Sequence, residues 1–292
     1  MIWLIGNKGM LGAELSSLFE KESLNFAGTD REVDITDFNA VEKYAKDKAF
    51  EWIINCAAYT AVDKAEDDAD LCRNINVNGP QNIGKTANLT KAKVIHISTD
   101  YVFNGKGERP YKEDDVTDPI GVYGLSKRDG EVLLKDQNRE TYIIRTAWLY
   151  GRHGNNFVHT MLCLFNEKKR ISVVDDQKGS PTHANDLANI IIKFIKQSNN
   201  GNNVPYGIYH YTNDGEITWF EFAKEIYNQA RAIGIIKNDC EINPCKSSDY
   251  PSKVTRPAYS VLDKTKIKNA LNMLISPWNE SLKKYFYNSI RN

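Results

Sequence analysis

The chain of 292 residues carries no net charge, because thirty-eight basic residues balance thirty-eight acidic ones. That balance excludes an overall field drawing it to nucleic acid or an anionic membrane. No apolar run approaches the roughly 18 residues of a membrane span. The opening Met1-Ile2-Trp3-Leu4-Ile5-Gly6 has no basic region and too short an apolar stretch for a signal peptide. Cysteine is sparse and odd in number: Cys56, Cys72, Cys163, Cys240 and Cys245 are scattered. The Cys240 to Cys245 spacing is unlike a zinc pair, and no histidine cluster accompanies it, so no metal site is assigned. Free thiols in a reducing cytoplasm are the expectation. Internal repeats and low-complexity segments are also lacking.

What is present is ample apolar material. Hydrophobic residues make up 41% of the chain, enough for a large core at a size where one core begins to split into two. Ile2 to Ile5 reads as a buried strand, followed by Leu11, Leu15, Leu18 and Phe19 at helical spacing. Further strands are expected at 52–57, 94–97 and 142–145, with a helical stretch from about Leu71 to Leu89 between the first two. Apolar strands alternating with amphipathic helices indicate α/β architecture: a Rossmann-like, doubly wound parallel sheet covered on both faces. Beyond Tyr150 the loops lengthen and Gly, Asn and Pro become frequent. The expected division is a dinucleotide-binding domain over 1–150, with a return segment near 183–200, and a smaller substrate-binding lobe over most of 151–292. Ligands of such sheets bind just beyond the carboxyl ends of the strands.

Gly6-Asn7-Lys8-Gly9-Met10-Leu11-Gly12 occupies that place after the first strand and opens the first helix. Its glycines suit a tight turn and let backbone N–H groups approach a pyrophosphate on the helix's positive end. The spacing Gly-x-x-Gly-x-x-Gly differs from the commoner Gly-x-Gly-x-x-Gly. Asp30, roughly 20 residues on, stands where an acidic group accepts adenosine ribose hydroxyls. It favours NADH, while the neighbouring Arg31 leaves NADPH open. Asp34 and Ile35 are placed to touch adenine, and Asp34 or Thr36 to cap the next helix.

Three segments fall at later strand ends: Cys56-Ala57-Ala58-Tyr59-Thr60, Ser98-Thr99-Asp100, and Tyr123-Gly124-Leu125-Ser126-Lys127. A tyrosine and a lysine four apart share one helix face. A cation that close is expected to lower the phenol pKa from near 10, as acid–base work requires. Thr99 is placed to hydrogen-bond the oxygen that Tyr123 protonates. Tyr-x-x-x-Lys alone is weak; its weight comes from the glycine loop and Thr99.

Together these motifs resemble the extended short-chain dehydrogenase/reductase superfamily. Longer strings at 55–66, 97–103, 145–151, 154–157, 176–182 and 256–260 resemble, within it, the dTDP-4-dehydrorhamnose reductases, and the likeness runs from residue 2 to about 285. The resemblance implies that Gly9, Met10, Leu11, Asp30, Asp34, Ile35, Ala58, Tyr59, Thr60, Tyr123 and Lys127 bind cofactor. It places Thr99, Asp100, Trp148 and Asn156 against the sugar. The planar fork of Arg256 suits the nucleotide diphosphate. Trp148 would offer the sugar an apolar face, or else serve as a core tryptophan at a strand end; a surface arginine before a proline is the alternative for Arg256. This sequence has Tyr59 where the family often has His, and Asn104 where it often has Asp.

The implied reaction is hydride transfer from NADPH or NADH to the C4 ketone of a dTDP-linked 4-keto-6-deoxy sugar, with Tyr123 as acid and Thr99 polarising the same oxygen. The implied protein is a monomer or homodimer. The family also admits Mg²⁺, with no ligand cluster to receive it here. Another sugar-nucleotide reductase or epimerase stays open. So does a non-catalytic dinucleotide-binding subunit like the β subunit of methionine adenosyltransferase. A dehydratase is weakened, because Tyr101 follows Asp100 where an acidic pair is usual.

Overall fold

The computed structural model describes residues 1–202, 204–249 and 252–290. Its strands are β1 (Ile2–Ile5), β2 (Phe26–Thr29), β3 (Trp52–Asn55), β4 (Lys93–Thr99), β5 (Thr141–Thr146), β6 (Arg170–Val174), β7 (Gly207–His210) and β8 (Glu241–Cys245), with some two-residue strands between. The helices are α1 (Met10–Lys21), α2 (Phe38–Lys46), α3 (Val62–Ala65), α4 (Ala69–Arg73), α5 (Gly79–Thr90), α6 (Val122–Gln137), α7 (Phe157–Glu167), α8 (Ala184–Asn199), α9 (Trp219–Ala232), α10 (Thr265–Ala270) and α11 (Trp278–Ile290). No helix among the described residues is long and apolar enough to cross a membrane.

Six strands form one parallel sheet in the order β7-β5-β4-β3-β1-β2. Alternation along β1 shows why both faces are covered. Ile2 and Leu4 pack with Leu11, Leu15 and Phe19 of α1 and with the apolar face of α8. Trp3 and Ile5 point the other way, into a core with Val41 of α2, Ile83 and Ala87 of α5 and Leu134 of α6. Side chains of successive strand residues point to opposite faces, and burying each contributes about 1.5–3 kcal/mol. The sheet gathers late sequence: α8 lies on it, and β7 pairs with β5 through Gly207–Tyr142 to His210–Arg145.

The second core is built on β6 and β8, which pair in parallel, with α7, α9 and α11 around Phe165, Phe222, Ile226 and Phe286. Thr218 starts α9 with a full capping box: its hydroxyl accepts from Glu221 N–H at 3.2 Å and its own N–H donates to the Glu221 carboxylate at 2.8 Å.

Two expectations need correcting. Helix α2 is capped by Asp37, whose carboxylate accepts from Asn39 N–H at 2.9 Å, and not by Asp34 or Thr36. Asp34 instead folds on itself, accepting from the Thr36 N–H and hydroxyl at 2.9 and 2.8 Å. The stretch read as one helix over 71–89 is α4, a π-helical turn at Asn74–Asn78, and α5. Apolar spacing does not register one extra residue in a turn, a distortion frequent at functional sites.

Candidate active site

The strand order changes direction between β1 and β3, and the loops leaving those two strands meet there. Gly6 has φ +77°, and a Cβ on it would lie 2.8 Å from the Ala57 nitrogen. A Cβ on Gly12 would lie 2.0 Å from the Gly6 carbonyl oxygen, so the first turn of α1 closes on the loop only with glycine there. Gly9 is the N-cap and makes no side-chain cap. The first bond back into the helix is Ala13 N–H to Gly9 O, which leaves the N–H groups of Met10, Leu11 and Gly12 as the end's spare donors. The first turn holds no acidic side chain. An uncapped, positive helix end behind a glycine-rich loop that packs on the loop after β3 fits a dinucleotide pyrophosphate.

Asp30 follows β2 and is partly buried, while Arg31 is exposed beside it. Ile35 is 7% exposed and packs its side chain on Gly79. Ala58 and Tyr59 are partly buried and Thr60 is exposed. Asn76, in the π-helical turn, accepts from Tyr59 N–H at 2.8 Å and donates to the Tyr59 carbonyl at 3.0 Å and the Ser126 hydroxyl at 3.1 Å. The Tyr59 phenol reaches outward to Asp68 at 2.9 Å.

Thr99 ends β4, and its hydroxyl lies beside the phenol of Tyr123. It also donates to Asp100 Oδ1 at 3.0 Å and accepts from Tyr101 N–H at 3.2 Å. Asp100 is 3% exposed, and burial raises its carboxyl to about 6 against hydrogen bonds from Thr99 and Ser260. Helix α6 packs closely on the turn after β4 and on the π-helical turn because Gly124 and Gly130 face backbone: a Cβ would lie 2.2 Å from the Tyr101 carbonyl and 2.0 Å from that of Asn76. That approach buries Tyr123 and Lys127 to 9% and 2% exposure.

The expected lowering of the Tyr123 phenol is contradicted. Burial raises its pKa well above the ordinary value, outweighing the opposing effect of the neighbouring Thr99 hydroxyl. The lysine does not oppose this, because its Nζ turns inward, donating to the Ile97 carbonyl at 2.8 Å and meeting His96 Nε2 at 3.3 Å. Four-residue spacing put both on one helix face but said nothing of where the lysine's nitrogen goes.

Residues 1–290 match a family model described as the RmlD substrate binding domain. The chain belongs to that family. It is 38% identical over 286 residues to a dTDP-4-dehydrorhamnose reductase of Aggregatibacter actinomycetemcomitans, covering 96% of each chain. The crystal structure of a dTDP-4-dehydrorhamnose reductase from Clostridium acetobutylicum superposes with a TM-score of 0.92 at 38% identity, over 100% of this chain and 99% of that one. The Bacillus anthracis dTDP-4-dehydrorhamnose reductase, solved in complex with NADP, gives 0.91 at 37% identity, over 98% of each chain.

In this RmlD family member the remaining expected substrate residues are already engaged. Trp148 follows β5 at φ +47°. One of its faces stacks on Trp219 at 3.6 Å between centroids, and Gly179 leaves room for its edge. Asn156 caps α7, accepting from His159 N–H at 3.1 Å and donating to the Gly151 carbonyl at 2.8 Å. Arg256 pairs with Asp63 at 3.0 Å, so its fork closes the 252–256 strap onto α3. Among the described residues no group of three His, Cys, Asp or Glu is arranged to hold a metal, so Mg²⁺ has no support here. Asn55, Asn76 and His96 were missed by sequence reasoning. Asn55 and His96 are polar residues inside apolar runs, which is the signal that marked them; Asn76, between Asn74 and Asn78, carried none.

Proposed function

We propose that this protein reduces the C4 ketone of dTDP-4-dehydro-6-deoxy-L-mannose to dTDP-L-rhamnose, using NADPH or NADH. The observation that carries the reading is the Thr99–Tyr123 hydroxyl pair at the end of β4, beside the uncapped, glycine-lined start of α1. Relatives named for this reaction support it at 35–38% identity over nearly the full chain.

Gly6, Gly9, Met10, Leu11 and Gly12 would hold the pyrophosphate, Asp30 and Arg31 the adenosine ribose, and Asp34 the adenine edge above Ile35. Ala58, Tyr59 and Thr60 line the nicotinamide end, with Tyr123 and Lys127 at its ribose. The bound nicotinamide supplies a hydride to C4. Tyr123 gives its phenol proton to the C4 oxygen, and its raised pKa keeps the acid form filled at neutral pH. Thr99 hydrogen-bonds the same oxygen and stabilises the charge developing on it. The Thr99 hydroxyl, which donates to Asp100 in the free protein, turns to that oxygen when the substrate is bound. Trp148 bounds the sugar, Asn156 orders the loop beside it, and Arg256 faces the diphosphate when it leaves Asp63.

Purified protein is expected to oxidise NADPH or NADH only when this sugar nucleotide is added. Tyr123→Phe should remove most of that turnover and leave dinucleotide binding within about twofold of wild type. Equal turnover by the two proteins sinks the assignment of Tyr123. A dinucleotide-binding subunit without catalysis would show binding and no turnover in either.

A further inference from the structure

A directional chain of hydrogen bonds runs beneath the catalytic helix. The Ala57 backbone N–H, which can only donate, lies 3.0 Å from Asn55 Oδ1. That fixes the orientation of the amide. The Asn55 Nδ2 group therefore points its hydrogen at His96 Nδ1, 3.0 Å away. Asn55 and His96 are both fully buried, and burial holds the imidazole in its neutral form. With Nδ1 accepting, the one ring proton is on Nε2, which faces Lys127 Nζ at 3.3 Å.

An ammonium has three donors and no acceptor, so it gains nothing from an N–H aimed at it. A neutral amine has a lone pair that accepts that N–H while its own hydrogens serve the Ile97 carbonyl at 2.8 Å. The other groups around the lysine do not reverse this preference. Glu131, one turn along α6, is spent on Arg145 of β5 at 2.6 Å with both side chains buried. Cys56 beyond β3 is held as a thiol, raised to about 12, and Cys72 on α4 is also raised, both by burial. Tyr123 on α6 is held protonated as well.

We propose that His96 is a positioning residue for Lys127: locked by Asn55 with its proton on Nε2, it presents that N–H to the lysine and makes the buried ammonium ready to give up a proton. The proposal deepens the reductase reading and rests on it for catalytic meaning. After Tyr123 has protonated the C4 oxygen, the proton that restores its phenolate is relayed from the Lys127 ammonium, whose Nζ faces His96 and the Ile97 carbonyl. One N–H bond breaks, one O–H bond forms, and the resulting amine accepts from His96. A lysine brought down to about 8, by burial first, suits that role.

The first test needs no turnover. In ¹⁵N-histidine-labelled free protein, His96 should show a lone-pair Nδ1 and a protonated Nε2; the reverse tautomer overturns the proposal. Lys127 is then titrated through its ¹³Cε signal, assigned by its loss in Lys127→Met. His96→Gln supplies an amide whose oxygen can turn to the ammonium, so the Lys127 midpoint should rise by about one pH unit. An unmoved midpoint in folded His96→Gln overturns the proposal, and should that variant not fold, the wild-type tautomer decides. In turnover, the alkaline limb of kcat/KM should move up with the lysine, whereas a merely structural histidine would lower activity equally at every pH. Absence of turnover in wild type counts against the reductase reading and leaves the NMR result standing.

Discussion

Asn76 grips the backbone of Tyr59 at both polar atoms, accepting its N–H at 2.8 Å and donating to its carbonyl at 3.0 Å. The cleft loop after β3 is thereby set by a side chain from the π-helical turn, which also touches Ser126 on the catalytic helix. Asn76→Leu strands these groups, at about 1–3 kcal/mol for each that stays buried and unpaired. The expected outcome is a KM for NADPH raised about tenfold, equivalent to 1.4 kcal/mol, with a lower Tm. An unchanged KM would show that the loop holds its shape without the clamp.

The glycine loop separates two substitutions that look alike on paper. A Cβ on Gly12 meets the Gly6 carbonyl at 2.0 Å, whereas one on Gly9 meets the same oxygen at 3.3 Å. Gly12→Ala should therefore lose dinucleotide binding by fluorescence titration, while Gly9→Ala stays within roughly fivefold of wild type, about 1 kcal/mol. Similar affinities for the two variants would contradict the close packing of α1 on the loop.

Glu131 and Arg145 form a buried pair, at 4% and 3% side-chain exposure, that joins α6 to β5. Arg145→Met leaves an uncompensated buried carboxylate, at a cost of about 3–5 kcal/mol in urea unfolding. The double variant Glu131→Leu with Arg145→Met should recover most of that loss. If the double variant is as unstable as the sum of the singles, the pair's charge is not the reason for its cost.

Asp100 gives a pH dependence whose sign is fixed by its surroundings. Burial raises its folded pKa to about 6, above the ordinary carboxyl value. Between about pH 4 and 6 the native state then binds more protons than the unfolded chain, so this group's contribution falls as pH rises. Relative to wild type, Asp100→Asn should gain on the order of 3 kcal/mol between pH 4 and pH 7. Denaturant unfolding at both pH values measures it, and a constant difference between the proteins refutes the shift.

The sheet strands and the glycine loop were legible because each rests on local rules: apolar runs, and glycines where a strand becomes a helix. Less legible were the partners of polar side chains. Asp34 and Thr36 read as the caps on paper, and only the helix's actual first turn chooses Asp37. Arg256 reads as a phosphate ligand until Asp63, nearly two hundred residues earlier, is found opposite it. The sheet's sixth strand, β7, lies in the half of the chain whose loops suggested a separate lobe. Strand pairing depends on where the chain returns, which composition does not encode.

The pairing of Tyr123 with Lys127 shows the same division. By itself the sequence determined that the two share a helix face after a Ser-Thr strand end, since a 3.6-residue repeat permits nothing else. The tertiary structure decided what each touches: the phenol meets Thr99, and the lysine turns to His96 and the Ile97 carbonyl. A buried ammonium is set by the donors and acceptors around it, and those come from β3 and β4, which only folding brings beneath α6.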